Sequence, residues 1–177
     1  MRKRLLALIP VLSVVSLLMI DQACLGQVVP FRASGENAIY SPASGETSGP
    51  GKATHMGRVF GSGVAAPGVD LGNGLFEWSA TNYSLQAANG DEIFMEGGGL
   101  VQFIPIQGSL FFAVWTGDFN VTGGTGRFSS VKAAAEPIQV TAINNPFTFP
   151  PAEEDIWTYS WSLDGQIDLG NKGKKDK

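Results

Sequence analysis

From residue 157 to residue 169 apolar and polar side chains alternate without a break. Trp157, Tyr159, Trp161, Leu163, Gly165, Ile167 and Leu169 fall on one side, and Thr158, Ser160, Ser162, Asp164, Gln166 and Asp168 on the other. Successive strand side chains point to opposite faces, so this period predicts a strand with one buried face. Residues 110–121 alternate as well, with Phe111, Ala113, Trp115, Gly117, Phe119 and Val121 on one face, while Leu110, Phe112 and Val114 make the other face apolar for half its length. That strand is expected to begin buried on both faces and to end with one face in water. Asn89-Gly90 stands between residues 81–88 and 91–96. It is the strongest short-range hairpin signal, because both central positions of the tight turn take positive φ.

Further turns are expected at Gly72-Asn73-Gly74, at Gln107-Gly108 and from Gly123 to Gly126. These breaks predict strands near 28–35, 53–64, 75–88, 91–97, 99–106, 109–121, 127–142 and 156–169. Pro137 marks a bulge or an edge in the seventh, since proline cannot donate to a ladder. Residues 41–52, rich in Ser, Gly and Pro, and residues 144–155, with Pro146, Pro150, Pro151, Glu153, Glu154 and Asp155, are expected as long surface loops. No window after residue 26 carries helical periodicity. Sequential strands with short turns suit an all-β domain, either an up-and-down barrel, which closes its own edges, or a sandwich.

Composition agrees: 23 Gly and 10 Pro in 177 residues disfavour long helices, and 44% hydrophobic against 16% charged residues can fill a core. The amino terminus reads differently from the rest. Arg2, Lys3 and Arg4 precede an apolar run, Leu5 to Ile20, of about 16 residues, short of the roughly 20 that a spanning helix needs. A basic segment followed by an apolar one is the pattern of a signal peptide, here residues 1–26, with Cys24 at the minus-three position of cleavage after Gly26. An uncleaved anchor and lipid attachment at Cys24 are the alternatives. The mature part is then a domain over 27–170 and a basic tail over 171–177, expected as a frayed end. Without residues 1–26 and the tail, five basic and fourteen acidic residues remain, a net charge of −9. Such a body repels nucleic acid and anionic lipid headgroups. Cleavage also removes the one cysteine, so the mature domain is expected to be secreted or periplasmic, with no disulfide and no stable membrane span.

Motifs for chemistry are few. Gly61-Ser62-Gly63-Val64-Ala65-Ala66 follows a strand-like stretch, but Pro67-Gly68 comes next where a phosphate site needs a helix N-terminus. Gly123 to Gly126 has no Lys-Ser or Lys-Thr after it, so it is no phosphate loop. His55 is the one histidine, which leaves too few nitrogen and sulfur ligands for a zinc site, and neither a metal nor a cofactor is expected. A pair of carboxylates could run acid–base chemistry if burial split their pKa values. The 11 Phe, 4 Trp and 3 Tyr either fill the interior or line a pocket open at one end. His55, Glu77, Glu92, Trp115 and Asp118 are therefore the candidate ligand-binding residues.

Val121-Thr122-Gly123-Gly124-Thr125-Gly126-Arg127-Phe128 resembles the glycine-rich hairpin of the allene oxide cyclase and dirigent-protein superfamily. Ala53 to Arg58 and Leu85 to Glu92 are similar to segments of secreted bacterial proteins, mostly of uncharacterised function, that share this hairpin in the same order. The resemblance implies an eight-stranded antiparallel up-and-down barrel of calycin-like type, with Gly123, Gly124, Gly126 and Phe128 as a structural turn. Plant members cyclise an unsaturated epoxide or guide radical coupling inside the barrel, and none of their catalytic residues maps onto a position here. The expected function is a non-catalytic binding or structural module, with a small apolar molecule in the barrel mouth as ligand; the alternative is a cyclase- or isomerase-like enzyme. Amino-terminal sequencing of the protein from its own host checks the first processing step. A start at Gln27 is expected, and a start at Met1 overturns cleavage.

Overall fold

The computed structural model describes residues 26–170. The expected cleavage segment and the basic tail fall almost wholly outside them. In chain order the strands are β1 (Val28–Tyr40), β2 (Glu46–Ala53), β3 (Gly57–Gly72), β4 (Leu75–Ala87), β5 (Glu92–Gln107), β6 (Leu110–Gly124), β7 (Lys132–Ala133), β8 (Ile138–Asn144), β9 (Phe147–Thr148) and β10 (Trp157–Asp168). A short 3-10 turn, Gly126–Phe128, stands between β6 and β7. Strands β1 to β6, β8 and β10 follow one another antiparallel, and β10 pairs back onto β1 from Val28↔Asp168 to Tyr40↔Trp157. That last pairing closes an eight-stranded up-and-down barrel and excludes the sandwich. β7 and β9 each add two residues, beside β10 and β6.

The strand number agrees with the sequence pattern through two compensating differences. Residues 46–53 form β2, all but Ala53 within the stretch 41–52 expected as a loop, while 91–97 and 99–106 are one strand, β5. Gly97-Gly98-Gly99 is thus no break between two strands but the middle of one. An added Cβ would lie 1.9 Å from the Asp118 carbonyl oxygen at Gly97, 2.0 Å from that of Thr116 at Gly99, and 2.1 Å from that of Gly98 at the facing Gly117. Bare backbone at these positions lets β5 and β6 approach more closely than side chains allow. β2 hides for the same reason: Gly49 packs on Ala38, and Gly51 on Trp161. The expected strand 127–142 resolves into the 3-10 turn, β7 and β8, with Pro137 just before β8. At Asn89-Gly90 only Gly90 takes positive φ, because four residues, not two, connect β4 to β5.

Inward side chains form one continuous core. β10 keeps the expected phase, with Trp157, Trp161, Leu163 and Ile167 buried. β1 and β4 each change phase at a bulge: Val29, Phe31 and Ala33 point inward before the irregularity between Gly35 and Ala38, and Ala38 and Tyr40 after it. In β4, Trp78 and Ala80 give way to Tyr83, Leu85 and Ala87. One extra residue re-aims every side chain that follows. Phe128 of the 3-10 turn is buried at one end of the barrel, and Arg127 beside it pairs with Asp91 at 3.3 Å. At the other end Phe147 stacks on Trp157 with ring centroids 3.8 Å apart, and Phe149 meets Phe103.

The glycine contact between β5 and β6 is a sharp test of this packing. Gly117→Ala is expected to destabilise the protein by about 3 kcal/mol, since the Cβ must displace backbone and not a side-chain tip. An unchanged denaturation midpoint by circular dichroism would contradict the close approach.

Candidate functional site

Between the two aromatic ends, the inward faces of β1, β2, β3, β4, β6, β8 and β10 leave a half-open cavity of about 60 Å³. Its wall is built mainly from rings. Tyr40 meets Trp115 edge-on at 5.5 Å, Trp78 meets Trp115 and Phe119 at 6.0 and 5.9 Å, and Tyr83 stacks on Phe119 at 5.1 Å. Large rings cannot tile a curved wall without gaps. Trp78 donates its indole N–H to the Thr116 carbonyl at 3.1 Å, which fixes its ring against β6.

Polar atoms in this wall are few and their states follow from their partners. Trp115 Nε1 donates to Asn144 Oδ1 at 2.5 Å, so the amide oxygen of Asn144 faces the indole and its Nδ2 points elsewhere. Thr47 donates its hydroxyl to the Ile39 carbonyl at 3.1 Å and must therefore accept from Tyr159, whose Oη it also contacts. Asn144 Nδ2 and Tyr40 Oη, on residues each 3% exposed, have no hydrogen-bond partner among the described residues. No carboxylate, imidazole, ammonium or guanidinium lines the cavity; its titratable groups are phenols. Burial pushes Tyr40 up to about 12 and raises Tyr83 and Tyr159 as well.

A shallower groove of about 640 Å³ lies on the outside of the barrel, with Ser34, Glu36, Lys52, Arg58 and Ser162 on its walls. It shares Trp161 and Ala142 with the inner cavity. Pairing of β1 with β2 is interrupted between Ser34 and Ile39, and there the indole of Trp161 backs onto Gly35 and Gly51, where an added Cβ would come within 2.5 and 2.6 Å of it. Trp161 and Ala142 therefore belong to the wall between the interior and the groove.

Of the five candidates read from the sequence, Trp115 lines the cavity and the other four stand outside it. His55 is exposed in the β2–β3 turn at φ 64°, with Nε2 3.0 Å from the Pro30 carbonyl oxygen. Glu77 is exposed on β4, Glu92 accepts from Gln86 at 3.1 Å, and Asp118 accepts from Gln139 across the outer face of β6 and β8. Of the structural turn, Gly124 packs against the Glu92 carbonyl, Gly126 takes φ 55° and Phe128 points inward. Tyr40, Thr47 and Asn144 went unread. Asn144 continues the inward phase of Ile138, Val140 and Ala142, a signal hidden by the proline-rich stretch that starts there. Among the described residues no group of three His, Cys, Asp or Glu side chains is arranged to hold a metal, and no helix is long and apolar enough to cross a membrane.

No protein-family model matches the chain, and neither a curated protein nor a solved structure matches it at a significant level.

The buried phenols predict an alkaline limit to stability. Below pH 10 Tyr40 is protonated in both the folded and the unfolded chain, so its contribution is intact. Between 10 and 12 the unfolded chain ionises first, stability falls as pH rises, and roughly 3 kcal/mol is lost once the folded value is passed. Since all 3 Tyr residues are raised, tyrosinate absorbance is expected to appear together with unfolding. Tyrosinate in a still-folded barrel near pH 10 would refute it.

Proposed function

We propose that the protein is a secreted or periplasmic binding module that holds a small, largely apolar molecule inside its barrel. The half-open cavity with an uncharged, ring-lined wall carries this reading. A wall that is apolar with a few placed polar groups is the usual lining of small-molecule sites, and about 60 Å³ limits what fits inside to a compact group. Export rests on Arg2 to Arg4 and the apolar run after them. Membership of the allene oxide cyclase and dirigent-like superfamily belongs to the same proposal and rests on residues 121–128 together with the barrel's connectivity. Acid–base catalysis in the manner of a cyclase or isomerase finds less support. Glu77, Glu92, Asp118 and His55 lie off the cavity, and phenols held above their ordinary pKa are poor proton shuttles near neutrality.

Xenon tests the pocket directly, because apolar cavities take it up. Xenon NMR of the wild-type protein is expected to show a bound signal, and Ala80→Leu, which fills the wall where Ala80 is 2% exposed, is expected to remove it while the barrel stays folded. A wild-type protein that takes up no xenon would remove the observation on which binding rests.

A further inference from the structure

Resting on the reading of the cavity as a binding site, we infer that its ligand is a compact, uncharged molecule presenting a hydrogen-bond acceptor, such as a carbonyl oxygen, to Asn144 Nδ2 and Tyr40 Oη. A purely apolar ligand would leave both atoms buried without partners. Buried amide and hydroxyl groups are almost always satisfied in folded proteins, and those that are not call for a specific explanation. Both atoms lie on residues that line the same cavity.

The roles of the two residues follow from their neighbours. Asn144 Oδ1 is committed to the Trp115 indole, so what the amide offers to the cavity is a donor. Tyr40 Oη can donate as well, and burial keeps it protonated at any physiological pH. Two unpaired donors on residues that line one cavity select an acceptor. Thr47 and Tyr159 satisfy each other and so add no competing demand. An ionised acid is excluded: no cation lines the cavity, and a carboxylate would lose its hydration with only neutral donors in return. Size narrows the class further. One water needs about 10–15 Å³ of such space, so 60 Å³ holds on the order of five non-hydrogen atoms. The acceptor must therefore belong to a small molecule, or to the tip of a longer one whose remainder leaves through the open side. Asn144 and Tyr40 are the specificity-determining residues.

Three probes of similar bulk separate the possibilities: methyl isopropyl ketone, isopentane and isobutyrate. Binding is followed by tryptophan fluorescence, since Trp78, Trp115 and Trp161 line the cavity, and by the side-chain amide resonances of Asn144. The ketone is expected to bind about tenfold more tightly than isopentane, the worth of one or two neutral hydrogen bonds. Isobutyrate is expected not to bind, and the Asn144 amide is expected to shift with the ketone alone. Tyr40→Phe deletes a hydroxyl with no protein partner, so it is expected to leave the denaturation midpoint at or above that of the wild type while reducing the ketone preference several-fold. Asn144→Leu is expected to abolish the preference; should the loss of the Trp115 contact unfold it, Tyr40→Phe decides. Equal binding of ketone and isopentane, or binding of isobutyrate, overturns the acceptor while leaving the pocket intact. Failure of every probe overturns both.

Discussion

Everything in this molecule depends on the pairing of its first long strand with its last. Contact between β1 and β10 runs from Val28↔Asp168 to Tyr40↔Trp157 with one bulge, and it turns an eight-stranded sheet, which would otherwise expose two edges, into a closed cylinder. The alternation of each strand acquires meaning only through closure, because only then does one face become an interior. The described chain holds no disulfide and no helical layer, so the inward side chains carry the stability through burial. This pairing joins residues more than a hundred positions apart and is worth its loop-closure entropy only when the intervening strands are in register.

Closing a small barrel also requires close approaches that ordinary side chains forbid. The glycines at 97, 99 and 117 bring β5 and β6 together, and those at 35, 49 and 51 let β1 and β2 pass against Ala38 and Trp161. In each case backbone or an aromatic ring of a neighbouring strand occupies the place of the missing side chain. The cavity is walled instead by the large rings of Trp78, Trp115 and Phe119, which pack edge to face and leave a gap between them.

Glycine inside strands explains part of what could and could not be read from the chain. β10 and β6 were legible because each keeps a single phase along most of its length, so period-two counting predicted both the strand and its inward face, Trp115 included. β2 was illegible because Glu46–Ala53 spends three of its eight positions on Gly49, Pro50 and Gly51, which mark loops elsewhere but here meet a neighbouring backbone or ring. β5 was cut in two by the same logic. Tyr40 lies beyond the β1 bulge, where the phase inherited from Phe31 points outward, so its inward placement needs the bulge to be known first. Four of the five candidate residues are titratable, and the barrel keeps those off its cavity, since an unpaired charge inside would cost far more than a phenol or an amide.

The polar atoms inside the wall deserve weighing against that apolar alternative. A core made only of hydrocarbon at positions 40 and 144 would avoid two unsatisfied groups, each costing about 1–3 kcal/mol when left without a partner. Asn144 is partly accounted for, since its amide oxygen satisfies the Trp115 indole, but its amide nitrogen has no such partner. Tyr40 is harder to explain by packing. Its ring contacts Trp115 and Trp157, and phenylalanine would make both contacts without burying a hydroxyl. The hydroxyl therefore weakens the empty barrel unless something in the cavity meets it.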